Sequence, residues 1–122
     1  MARILIADPD SAFRKALILL FNHKLGIACV SEAADIGTLI QILLNDPPDL
    51  LLLSWSLYGT PGLEICQLLR KSHPTMKVVL LSVNQEDEPL AQAAGATFLQ
   101  KGAPAEEILA SLRTLVASLT PG

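Results

Sequence analysis

Aromatic residues are scarce in this chain of 122 residues, at 4%, so its 51% of hydrophobic residues is carried mostly by aliphatic side chains in short runs. None of those runs approaches the roughly 18 to 20 apolar residues that a membrane-crossing helix needs, and no span is expected. Cysteine is equally rare. Cys29 and Cys66 have no CxxC spacing, and His23 and His73 stand alone, which argues against a Cys/His metal centre and predicts two buried, reduced thiols. A basic cluster is also missing. With a formal net charge of −3, the segment lacks the concentrated Lys and Arg that phosphate contacts require, so direct binding to nucleic acid is not expected. The stretch from Met1 to Asp8 has one basic residue, a short apolar core and no cleavage region. It reads as a first strand rather than a signal peptide, and the expected location is the cytoplasm.

What is present is alternation. Short β-like runs alternate with stretches of helical period, the pattern of parallel βα units, and five such units fit a length that suits one domain. The first strand is expected over Arg3 to Ala7, followed by Asp8-Pro9-Asp10 and a helix through Phe13, Leu17, Leu20 and Phe21 that ends near Gly26. Asp10 is a natural N-cap for it. A shorter, more mixed run from Ile27 to Ser31 predicts an edge strand, and Asp35 caps a helix carrying Leu39, Ile40, Leu43 and Leu44. Asp46-Pro47-Pro48 then forces a turn.

The third strand, Asp49 to Leu53, is apolar on both faces and so belongs at the centre of a covered sheet. It ends at Ser54. Thr60-Pro61-Gly62 predicts a cap followed by proline at the first helical position, with the helix running to about Ser72. Lys77 to Leu81 makes a fourth strand ending at Ser82, and Pro89 confines the fourth helix to a short segment starting near Glu88 and stopping at Gly95. The fifth strand is Ala96 to Gln100, ending at Lys101, and a last helix begins near Pro104 with Glu106 and Glu107 in its first turn. Residues 1–118 are expected to form the domain, and residues 119–122 a linker or an arbitrary chain end.

Right-handed crossovers give a doubly wound α/β sandwich of three layers, and such sheets bind or react at the carboxyl ends of their strands. The residues to examine are therefore Asp8 with Pro9 and Asp10, Ser54, Ser82 and Lys101. No Gly-rich turn follows the first strand, which disfavours a small-ligand site that cradles a phosphate.

Several motifs add to this set. They are Ile4-Leu5-Ile6-Ala7-Asp8, Arg14, Asp49, Gly62-Leu63-Glu64, Val78 to Ser82, Ala94-Gly95-Ala96 and Phe98-Leu99-Gln100-Lys101. In this order and spacing, over nearly the entire chain, they resemble the receiver domain of bacterial two-component response regulators. The resemblance implies a flavodoxin-like five-stranded parallel sheet of order 2-1-3-4-5. It also implies an aspartate after the third strand that accepts a phosphoryl group from a phosphohistidine, and magnesium held by two acidic residues after the first strand. A hydroxyl after the fourth strand and a lysine after the fifth would hold the phosphoryl oxygens. Carried over, Asp8 matches the first acid, Ser82 the hydroxyl, Lys101 the lysine and Phe98 the switch aromatic.

Two positions depart from that pattern. The second acidic position is Pro9, and the phosphoacceptor position is Ser54. Phosphoryl transfer relies on positioning and charge neutralisation. Asp8 alone would support at most weak magnesium binding, and no resident cofactor is expected. A serine hydroxyl without an adjacent base is a poor nucleophile. The expectation is thus a pseudo-receiver, not an enzyme, that acts through a protein partner or homodimer, such as a sensor kinase or output domain. The alternative is a phosphoacceptor that uses Asp10 or Ser54.

Simpler roles are set beside these. Asp10 is read first as a helix cap, Trp55 as a partly exposed loop aromatic and Gln85-Glu86-Asp87-Glu88 as a solvated loop, while for Asp8 pairing with Lys101 stands level with residual metal binding. The segment from Ser82 to Gly95 is short for the family, and Gly102 follows Lys101 where the family commonly has proline. A trans Lys101-Gly102 bond is expected, because cis costs about 2.5–4 kcal/mol without proline. The face of the fourth helix, fifth strand and fifth helix, where the family docks, is expected to be altered.

Overall fold

The computed structural model describes residues 2–119, so of the linker predicted at 119–122 residues 120–122 lie outside the described residues, and Leu119 packs against the core. Five parallel strands form one sheet: β1 (Ile4–Ala7), β2 (Val30–Ala33), β3 (Leu50–Ser54), β4 (Lys77–Ser82) and β5 (Thr97–Gln100). Their spatial order is β2-β1-β3-β4-β5, the doubly wound arrangement with its switch point between β1 and β3.

Side-chain parity explains why the sheet is covered on both faces. Leu5, Ala7, Leu51, Leu53 and Leu80 point to one side, where they meet α2 (Ile36–Asn45), α3 (Gly62–Ser72) and α4 (Glu88–Ala93). Ile4, Ile6, Leu50, Leu52, Val79 and Leu81 point to the other, against α1 (Ser11–Leu19) and α5 (Ala105–Ala117). All five residues of β3 are buried, and each leucine removed from water contributes about 1.5–3 kcal/mol. β3 is therefore the axis of both cores.

The helix starts follow local chemistry. The Asp10 carboxylate accepts from the backbone N–H groups of Ala12 at 3.0 Å and Phe13 at 3.2 Å. Asp35 does the same for Thr38 at 2.8 Å, a bond that lowers the Asp35 pKa. α1 ends in a π-helical turn, Leu20–Lys24, in which the Leu25 N–H reaches the Leu20 carbonyl at 3.2 Å, and Gly26 at φ +68° turns the chain away.

Several expectations need correction. β2 begins at Val30 rather than Ile27, because parallel pairing with Ile4–Ala7 sets its register more strongly than its own mixed polarity does. Cys29, just before this edge strand, is exposed, whereas Cys66 is buried and its thiol pKa is pushed up by that burial. Thr60 and Pro61 do not cap and open α3. They pair with Ser56–Leu57 in an antiparallel ribbon, and α3 starts at Gly62 without a side-chain cap. The ribbon turns at Tyr58 (φ 48°) and Gly59 (φ 86°), the left-handed pair that a tight two-residue hairpin requires.

Gly62 is where α3 meets the end of β3. A Cβ there would fall 2.1 Å from the Ser54 carbonyl oxygen, and its N–H donates to the Trp55 carbonyl at 2.8 Å. Replacing Gly62 by alanine should cost about 1–3 kcal/mol in urea unfolding, since backbone rather than a flexible side chain must yield. In a thiol-alkylation time course Cys29 should be modified in the native protein and Cys66 only after unfolding, because buried, protonated thiols are inert.

Candidate functional site

The carboxyl ends of β1, β3, β4 and β5 carry the polar residues of the site in adjacent register. Ala7 pairs with Leu53, and Ser54 pairs with Leu81. The ladder continues one residue past the strands: Asp8 N–H donates to the Ala33 carbonyl at 3.0 Å, Trp55 N–H to Leu81 at 2.7 Å and Lys101 N–H to Ser82 at 2.8 Å. Sheet pairing alone thus places Asp8, Ser54, Ser82 and Lys101 along one edge of the molecule.

Asp8 is 0% exposed, and burial of a carboxylate demands compensation. One oxygen, Oδ1, accepts from the Asp10 N–H at 2.8 Å. The other, Oδ2, lies 2.8 Å from the Lys101 ammonium but makes no aligned hydrogen bond, so the contact is one of charge. Lys101 is 18% exposed, and its Nζ also stands 4.7 Å from the centre of the Phe13 ring, a cation–π approach that holds the ammonium from a second side. Arg14 supports the same corner: it donates to the Asp8 carbonyl at 2.6 Å and to Glu32 at 2.9 Å.

The two serines are likewise engaged. Ser54, 6% exposed, donates its hydroxyl to the Ser56 carbonyl at 2.8 Å and accepts from the Ser56 N–H at 3.3 Å. Ser82, 3% exposed, donates to the Asp87 carboxylate at 2.6 Å and accepts from the Asn84 N–H at 3.0 Å. Neither hydroxyl bonds to the other or to Lys101 among the described residues. Asp87 is half-buried and bonded rather than fully solvated, which modifies the solvated-loop reading of Gln85-Glu86-Asp87-Glu88.

Pro9 has no donor atom in its side chain. The Asp10 carboxylate faces the first turn of α1, and Trp55 is half-buried against the α2/α3 core. Phe98 is half-buried, packed against that same core. The Lys101-Gly102 bond is trans, as are all peptide bonds of the described residues.

Magnesium was implied by the resemblance, and these residues do not fit it. The Asp8 carboxylate already has an ammonium at 2.8 Å, that of Asp87 is taken by the Ser82 hydroxyl, and that of Asp10 by the first turn of α1. No group of three His, Cys, Asp or Glu residues among those described lies close enough to hold a metal. Hard divalent cations need several oxygen ligands.

Phe13, Ser56 and Asp87 are the participants that sequence reasoning did not assign to the site. Phe13 carries the ordinary signal of a core residue, and Ser56 and Asp87 act through contacts that only loop geometry creates.

Comparison with known proteins agrees with this geometry. The model of the response regulator receiver domain matches residues 4–113. The response regulator GacA of Pseudomonas aeruginosa is 28% identical over 120 residues, covering 96% of this chain and 56% of GacA. The response regulator UvrY of Escherichia coli is 25% identical over 118 residues, or 94% of this chain and 54% of UvrY. The chain therefore spans little more than half the length of these relatives. Among solved structures, the signal receiver domain of a DNA-binding response regulator from Colwellia psychrerythraea superimposes with a TM-score of 0.84 at 20% identity, covering 96% of this chain and 99% of that one. A CheY-like receiver domain protein from Methanospirillum hungatei gives 0.82 at 22% identity, covering 98% and 96%. With the family model spanning nearly all of the sheet and helices, the chain belongs to the response regulator receiver domain family.

Proposed function

We propose that this receiver domain works in two-component signalling as a pseudo-receiver, through protein–protein contact, without accepting a phosphoryl group at the Ser54 position and without acting as an enzyme. The observation that carries the reading is the pairing of Asp8 with Lys101 at 2.8 Å, beside Pro9 and Ser54. The cation that would neutralise an incoming phosphoryl group is committed to a buried carboxylate, and no second acid stands where a metal ligand is needed. Ser54 has no neighbouring base among its hydrogen-bond partners, so nothing raises its nucleophilicity. The Asp10 carboxylate is occupied by α1, which weighs against its service as a substitute acceptor.

Receiver domains of two-component systems work by contact with sensor kinases and output domains, and the proposed partner is one of these or a second copy of the chain. The proposed setting is the cytoplasm; among the described residues no helix is long and apolar enough to cross a membrane.

Incubation with acetyl phosphate and magnesium, read by intact mass, tests the proposal. The wild type should gain no phosphoryl adduct, whereas the double variant Pro9→Asp/Ser54→Asp should gain one that depends on magnesium. An adduct on the wild type that disappears in Ser54→Ala or Asp10→Ala would establish the opposite reading, a phosphoacceptor with an unorthodox residue. Lys101→Met should destabilise the domain by about 3 kcal/mol in denaturant unfolding, because it leaves the Asp8 charge buried and unpaired. If Lys101→Met is as stable as the wild type, the ion pair is not what holds the site.

A further inference from the structure

We propose that Asp87 is an intramolecular latch on Ser82, holding the connection between β4 and α4 in one state with no phosphoryl group present. The functional weight of the latch rests on the reading that Ser54 is not phosphorylated; the latch itself rests on the geometry of residues 82–93.

A serine hydroxyl has one proton to give and two lone pairs to offer. The Ser82 proton goes to Asp87 Oδ2 at 2.6 Å, and one lone pair takes the Asn84 N–H at 3.0 Å. The first of these is short, as hydrogen bonds to an ionised acceptor are, and stronger than a neutral one. Ser82 is 3% exposed, so little water competes for the hydroxyl. The Asp87 N–H in turn reaches the Asn84 carbonyl at 3.1 Å. The 3₁₀ turn Gln85–Asp87 is thereby fastened to the end of β4 through both the side chain and the backbone of Asp87.

The helix after this turn cannot position itself. α4 has 6 residues, carries proline in its first turn and has no side-chain cap, and isolated helices of that length are unstable in water. Its C-terminal end is held by the Ala96 N–H on the Ala91 carbonyl at 3.0 Å. Its N-terminal end depends on the turn that Asp87 fastens. The resemblance gives the hydroxyl after the fourth strand a phosphoryl oxygen to hold. In this chain a carboxylate oxygen of Asp87, an anionic acceptor of the same kind, takes that role from within. Gln100 of β5 adds a longer bond to the Val83 carbonyl at 3.4 Å, so β5 is tied to the same connection.

Amide hydrogen exchange of the whole chain, without any phosphodonor, tests the latch. Asp87→Ala and Ser82→Ala should each speed exchange at Asn84 and Asp87 and through α4 by about tenfold or more, the scale set by loss of a hydrogen bond to a charged acceptor. β1 and β3 should keep their protection, and at Asp87 and through α4 the double variant should exchange no faster than either single one, because both remove the Ser82–Asp87 bond; Asn84 should be faster wherever Ser82 is replaced, since that change also removes the acceptor of its N–H. Effects that add, or rates within about twofold of the wild type, would overturn the proposal. Should Asp87→Ala fail to fold, Asp87→Asn keeps the shape and a neutral acceptor, so its exchange should be faster than that of the wild type and slower than that of Ser82→Ala. A phosphoryl adduct on the wild type would refute the proposed function and leave the exchange result standing, so the two failures are distinguishable.

Discussion

A carboxylate cut off from water needs a cation or a set of donors, and at the edge of this sheet Asp8 has both. Its Oδ1 takes the Asp10 N–H, its Oδ2 faces the Lys101 ammonium and its backbone carbonyl takes Arg14. Because Asp8 closes β1 and Lys101 closes β5, this ion pair links strands that are not neighbours in the sheet across the ends of β3 and β4. The loops that begin at those residues are consequently fixed relative to one another. An ion pair of this kind adds little net stability compared with apolar packing, but breaking it strands a buried charge, so it acts chiefly as a constraint on arrangement.

The rest of the edge obeys the same rule of local satisfaction. Ser54 bonds within the ribbon after β3, and Ser82 bonds within the turn after β4. Gly62 lets α3 approach the Ser54 carbonyl more closely than any side chain permits. Each of these polar groups thus has its partner inside the chain. α4, β5 and α5 form the neighbouring surface, with a shallow groove lined by Glu88, Phe98, Gln100 and Glu107.

Much of this was legible from residue order. The apolar run Leu50 to Leu53 implied a central strand, Asp10 and Asp35 were readable as caps, and Pro89 implied a short fourth helix; each follows from chemistry within a few residues. The misreadings share a cause. β2 took its start from pairing with β1, and Thr60-Pro61 was drawn into the ribbon because Tyr58-Gly59 reverses the chain, although the same residues otherwise suit a helix start. Cys29 looked like an ordinary apolar position, and its exposure follows from lying beside an edge strand.

The sequence by itself determined the class of fold, the order of its elements and the identity of the residues at the strand ends, including Pro9 and Ser54 at the positions where the family resemblance implies acids. Those properties depend on periodicity, local propensity and side-chain chemistry, which are written residue by residue. The tertiary structure alone decided the partners: Lys101 with Asp8 and Phe13, Ser82 with Asp87, and Gly62 against Ser54. Hydrogen bonds form only at about 3 Å, and which groups come that close is set by how the chain crosses the sheet.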